Sequence, residues 1–196
     1  MTPQVTLPTE VIARCAAAAG VPPWLTSRAV VDAIRDPALL AGLAVAAAGD
    51  ASVALVRASN AGHVPVVRRL LENGADVHAE DDEALCSAAR LGHDEVVRAL
   101  LERGTDFRIW ADLAMCLAAK NGHAPVVSLL LKHGAHVRKW EDKALRDAAT
   151  AGHADVVRLL LEHDACDDWV LWRVAMVVGH DDVATLLFEH AFRDVL

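Results

Sequence analysis

Aliphatic residues recur along this chain at helical spacing, in paired segments of different character. In the stretch from Asp82 to Gly104, Leu85, Ala88 and Ala89 fall on one face of a first helix. Val96, Val97, Leu100 and Leu101 fall on one face of a second, which reads as more strongly aliphatic. Small alanines on the first helix let a neighbouring helix come close. Between the two stands Gly92-His93, and the same dipeptide recurs as Gly62-His63, Gly122-His123, Gly152-His153 and Gly179-His180. Its steps are 30 residues three times and then 27. A fixed period of this length marks a stacked array of helix pairs, since a single pair cannot bury its apolar face alone.

Local signals agree with that reading. Asp82 precedes Ala84 by two residues and is placed to accept hydrogen bonds from the free amides of the first helix, as Ser52, Asp112 and Asp142 are in their own units. Gly104 ends the second helix, where glycine reaches a left-handed conformation without strain. Pro65 and Pro125 occupy first turns of second helices, where the missing amide costs little.

Residues 1–50 do not carry the repeat. They read as short helices: one capped by Thr9 and stopped at Gly20 before Val21-Pro22-Pro23, one opened by Ser27, and one running from Asp36-Pro37 to Gly49. Their expected role is to cover the open end of an array formed by residues 51–196, about five units in all. The last unit is degenerate. Asp164 replaces the helix-ending glycine, three residues are missing before Leu171, and Trp172 stands where the other units have Leu or Met. Its second helix, Asp181 to His190, continues into a charged tail, which predicts a C-terminal cap and a chain complete at this end.

Composition narrows the function. Of 196 residues 54% are hydrophobic and 23% charged, ordinary globular material, and the net charge of -8 argues against a nucleic-acid or anionic-membrane surface. Cys15, Cys86, Cys116 and Cys166 show no CxxC spacing and read as free thiols of a reducing compartment. The start MTPQVTLPTE lacks the pattern of a secretory signal. Asp32, Arg35 and Asp36 leave only about a dozen clean apolar residues between Ala29 and Ala48, too few for a bilayer. These features predict a soluble, cytoplasmic protein. The repeated histidines invite a metal reading, but equivalent residues of stacked helices lie about 8 to 10 Å apart, whereas zinc holds its ligands at about 2 Å. They read instead as turn residues bonded to neighbouring backbone. No phosphate-cradling loop, nucleophile elbow or HExxH run is present, so neither a catalytic residue nor a cofactor or metal site is assigned.

The repeated unit resembles the ankyrin repeat. Gly74-Ala75-Asp76-Val77 reproduces the family's lead into its hairpin, and Val156 to Leu161, VVRLLL, reproduces its second helix. The likeness covers about residues 52–196. It departs at the opening of the first helix, where the family's Thr-Pro-Leu-His is replaced by Glu83-Ala84-Leu85-Cys86, Leu113-Ala114-Met115-Cys116 and Lys143-Ala144-Leu145-Arg146. A 30-residue unit also leaves a shortened finger. The resemblance implies an all-α solenoid of stacked helix-turn-helix pairs with short fingers, capped by the N-terminal helices, and a non-enzymatic module that binds another protein.

By the same resemblance, inner-helix residues Ser87, Arg90, Leu117, Lys120, Asp147 and Thr150 would line a concave face with the finger residues. Trp110 and Trp140 each stand six residues past a helix-ending glycine, where the previous unit has Glu80, and Trp169 lies one place short of that register. In the family this position belongs to the hairpin connection. The three rings could form an exposed ladder beside Arg108, Arg138 and Lys139, a composition typical of binding hot spots, or fold back onto the next repeat as packing. The expected partner is another protein, with no nucleic acid or membrane, and the chain is expected to be a monomer. An alternative rests on Leu7-Pro8-Thr9-Glu10-Val11, which is similar to the start of an F-box and would imply a substrate receptor of a cullin-type ubiquitin ligase. The resemblance fades beyond it, in the small residues Cys15 to Ala19.

Overall fold

The computed structural model describes residues 41–42, 45, 49–103, 108–136, 142–163 and 169–192, without the side chains of residues 108, 109 and 169. Most of the cap predicted for residues 1–50, and the whole F-box-like start, lie outside the described residues. Among those described there are ten α-helices and no strand: α1 (Ala51–Asn60), α2 (Val64–Glu72), α3 (Ala79–Leu91), α4 (Asp94–Leu101), α5 (Arg108–Lys120), α6 (Ala124–Lys132), α7 (Lys143–Ala151), α8 (Ala154–Glu162), α9 (Trp169–Val178) and α10 (Asp181–Ala191). The chain divides into two units, Met1–Asp76 with α1 and α2, and Val77–Leu196 with α3 to α10.

In the first unit α1 packs on α2, burying Leu55 against Val67 and Leu70. In the second, four helix pairs stack so that the inner helices α3, α5, α7 and α9 form one layer and the outer helices α4, α6, α8 and α10 another. A large apolar side chain is fully buried at every fifteenth residue, at Leu85, Leu100, Met115, Leu130, Leu145 and Leu160, alternating between the layers. Leu55 and Leu70 keep the same interval in the first unit. The buried pairs Ala88-Ala89, Ala118-Ala119 and Ala148-Ala149 let successive inner helices approach closely.

In the second unit the Gly-His turns at Gly92, Gly122 and Gly152 each join one pair to the next. At Gly92 the backbone is left-handed, with φ of 76°; the Gly92 amide donates to the Ala89 carbonyl and the His93 amide to the Ala88 carbonyl. This closes two of the carbonyls left over at the end of α3. The next one, that of Arg90, accepts from His123 Nε2 of the following pair at 3.1 Å. His153 donates to the Lys120 carbonyl at 3.1 Å and His180 to the Thr150 carbonyl at 3.2 Å in the same way. Because a carbonyl can only accept, Nε2 carries a proton in all three. The glycine is needed twice over. Besides its positive φ, a Cβ added at Gly92 would lie 2.5 Å from the His123 ring, and one at Gly122 would lie 2.7 Å from that of His153.

The aspartates expected to cap the inner helices do something else. Asp50, not Ser52, caps α1, its Oδ1 accepting from the Ser52 amide at 2.6 Å. Asp82 lies buried at a kink in α3, just before the right-handed turns that begin at Glu83, and is paired with His78 Nδ1 at 2.8 Å. Asp112 lies buried inside α5 and accepts from the His136 amide at 2.7 Å, tying the second pair to the chain that leads into the third. Asp142 does occupy the capping position of α7, but its side chain makes no capping bond. The reason is the shortened connection. Glu80, Asp81, Asp82 and Asp142 all have φ between 54° and 57°, so the chain turns left-handed where a cap would need extended backbone. Three such residues in a row cost about 1–2 kcal/mol each.

The last pair also departs from expectation. A terminal cap presents a polar outer face, yet Val170, Trp172, Met176, Val177, Val178, Phe188 and Phe192 are exposed. No described helix is long and apolar enough to cross a membrane.

The two roles of the joint glycines can be separated. Gly134 has φ of 88° but open space around its Cβ position, so Gly134→Ala should cost about 1–2 kcal/mol from backbone strain alone. Gly122→Ala should cost at least about 1 kcal/mol more, because it also displaces the His153 ring and its hydrogen bond. Urea unfolding followed by circular dichroism checks this; equal midpoints for the two variants would rule out a stabilising joint.

Candidate protein-binding surface

The joints fix the backbone of the inner helices, and so decide which inner-helix side chains face outward. The carbonyls of Arg90, Lys120 and Thr150 accept the hydrogen bonds that join the stack, while their side chains are all exposed. They stand one helix-packing distance apart, roughly 8–10 Å, along one row. Three residues earlier in each helix the corresponding row is Ser87, Leu117 and Asp147. Leu117 and Asp147 are half-buried, and Asp147 is held by Lys143 Nζ at 2.8 Å. Ser87 is a correction to the expected concave face: it is 1% exposed, and its hydroxyl donates to Glu83 Oε1 at 2.6 Å. At that depth a short side chain is covered, whereas the longer Leu117 and Asp147 reach out.

Charge along these rows is organised by short-range pairs. The carboxylate of Asp147, through its hydrogen bond and then its charge, raises the Lys143 ammonium above the usual lysine range. Thr150 turns its hydroxyl back onto the Arg146 carbonyl at 2.6 Å. One residue before Ser87 and Leu117 lie Cys86 and Cys116, both free thiols and both buried. Burial first, then the charges of Glu83 and Asp82, push the Cys86 thiol up to about 12. Burial first and then Asp147 push Cys116 up to about 11.

The tryptophans are placed differently from the hairpin position expected of them. Trp110 lies within the first turn of α5 and is half-buried, and Trp169 is the first residue of α9. Both helices begin before or at the ring-bearing residue. Arg108 opens α5, and its side chain, like that of Trp169, lies outside the description. Trp140, Arg138 and Lys139 fall outside the described residues. Glu80 is exposed at the head of the left-handed turn. The described residues therefore bring together Arg90, Leu117, Lys120, Asp147 and Thr150 on adjoining inner helices, with Trp110 at the start of one of them.

Compared with known families, the sequence matches the description of ankyrin repeats (3 copies) over residues 38–111 and 110–171. The chain belongs to the ankyrin-repeat family. The match reaches back to residue 38, into the segment read as a cap, and runs to residue 171 in the first turn of α9. No curated protein matches the sequence. Ankyrin repeats generally serve as protein–protein interaction modules without catalytic chemistry of their own, and the described residues hold no group of three or more His, Cys, Asp or Glu side chains that could bind a metal ion.

The buried thiols of the ankyrin stack offer a check on its packing. In a Cys15→Ser, Cys166→Ser background, Cys86 and Cys116 should resist a disulfide reagent at pH 8 in the native chain and react once it is unfolded in urea. Their folded-state pKa values lie above the unfolded value, so the native chain holds these protons more tightly. The stability this contributes is full below about pH 9 and is lost as pH rises through about 11 to 12. Rapid labelling of the folded chain would contradict this placement.

Proposed function

We propose that this ankyrin chain binds a partner protein through the exposed inner-helix residues and the residues of the short connections, and that it does no chemistry. The observation that carries the reading is the contrast between positions where the copies agree and where they differ. The shared residues, the Ala-Ala pairs and the Leu or Met every fifteen positions, are buried and account for the stack. Those that change from copy to copy are exposed at Arg90, Lys120 and Thr150 and half-buried at Leu117 and Asp147, Ser87 alone in that second row being covered. A solenoid needs nothing particular at those places, so their side chains are available to recognise a ligand.

The chemistry of the row favours a protein partner. Two cations, Arg90 and Lys120, stand in one row with Thr150, beside the apolar Leu117 and the anion Asp147, and Trp110 stands at the head of α5. Mixed charge around an apolar centre suits a polypeptide with acidic residues beside an apolar anchor. A phosphate backbone would call for more cations than this chain of net charge -8 offers there. The remaining proposed contacts are Glu80, Arg108 and Trp169, together with Trp140, Arg138 and Lys139, which fall outside the described residues.

A paired substitution tests this surface. Affinity capture with the chain as bait, quantified by mass spectrometry, should lose its specific partner when Trp110, Arg90 and Lys120 are together changed to alanine. The partner should be kept when Arg98 and Arg158, exposed on the outer helices, are changed instead. A loss of about 2 kcal/mol or more, roughly thirtyfold in affinity, is the expected scale for hot-spot residues. Equal retention by both variants would place the binding surface elsewhere.

A further inference from the structure

The last pair presents a face whose counterparts in the other pairs of the second unit are buried, save Leu131, which is half-buried. In the pair α7/α8, Leu145, Ala149 and Leu161 are buried, with α9 stacked on α7 and α10 on α8. Aligned on the joints Gly152-His153 and Gly179-His180, the same three positions are occupied in the last pair by Trp172, Met176 and Phe188. These are 36%, 50% and 46% exposed. The Trp172 and Phe188 rings lie 6.3 Å apart and Phe188 and Phe192 4.6 Å apart, so they form a continuous apolar row. The joint tells the same story. A Cβ at Gly92, Gly122 or Gly152 would strike the imidazole of the next pair, whereas one at Gly179 would meet nothing within 4 Å.

We propose that this terminal face is the contact between two copies of the chain, paired about a two-fold axis. The face continues the interface by which the chain's own helix pairs stack, so its natural cover is another helix pair. A further repeat in the same register does not fit, because Met176 stands where Ala89, Ala119 and Ala149 let the next inner helix approach. Trp172 is likewise larger than the Leu or Met it replaces. A second copy of the face suits it: each ridge of Trp172 and Met176 meets the Phe188–Phe192 side of its mate, and each contact is made twice. Charge permits the approach despite the net charge of -8. Aligned on the same joints, Arg173 and Asp182 match Arg146 and Asp155, which stay exposed within the stack, so the charges of α9 and of the start of α10 border the apolar face rather than lie across it. With an aromatic side chain worth about 150–250 Å², the row and its valine edges offer on the order of 500 Å² per copy. A pair then buries roughly 1,000 Å², the lower bound for a specific interface.

Sedimentation equilibrium of the 196-residue chain across the micromolar range tests the pairing. The expected result is a species of twice the single-chain mass, with a dissociation constant raised at least about tenfold by Met176→Lys and by Phe188→Lys, each worth about 1.4 kcal/mol or more, and unchanged by Arg98→Ala on an outer helix. Circular dichroism confirms that the variants fold, and the unsubstituted chain decides the question even if they do not. A single-chain mass at every concentration overturns the proposal, whether or not some other protein occupies the face. Assemblies larger than two, or a pair that both lysine variants leave intact, overturn it as well.

Discussion

A hydrogen bond from an imidazole to a backbone carbonyl one pair earlier is the constraint on which this stack depends. Helix ends leave carbonyls without partners, and a solenoid multiplies helix ends. Here the turn amides close two of them, and the histidine of the next pair closes a third, at Arg90, Lys120 and Thr150 in turn. Capping of one pair is thereby also attachment of the next. The net worth of such a bond, about 1 kcal/mol, is small beside the burial of the leucine core, but it is directional where burial is not. It sets the register at which the alanines of one inner helix meet those of the next.

That arrangement was legible in the sequence because it repeats. The Gly-His period, the alternating small and large apolar faces and the helix-ending glycines are short-range signals, and each recurs in several copies. The role of the histidines followed from distance alone. The aspartates were misread because a cap is inferred from a local pattern, and the local pattern at Asp82 and Asp112 is overridden by a left-handed backbone and by the longer reach to His136.

The binding surface was legible only in outline. Ser87, Leu117 and Asp147 share one register, and nothing in the sequence shows that the first is short enough to be covered while the others protrude. Trp110 was assigned to a connection because the family places one there; a unit three residues shorter starts its helix sooner and takes the ring with it. The apolar character of the last pair was visible in Trp169 to Val178, WVLWRVAMVV, but the charged residues that follow pointed towards a cap. Which side of α9 is covered is a matter of stacking, and no period remains at the end of an array to reveal it.

The joints also have a direction. Each histidine donates towards the pair that precedes it in the chain, never towards the one that follows. During synthesis the accepting carbonyl has therefore always left the ribosome before its donor, and the core into which the new pair packs is already in place. None of the three pairs α5/α6, α7/α8 and α9/α10 waits for a residue not yet made before it can bond to its predecessor. The stack is built to grow in the order in which it is translated.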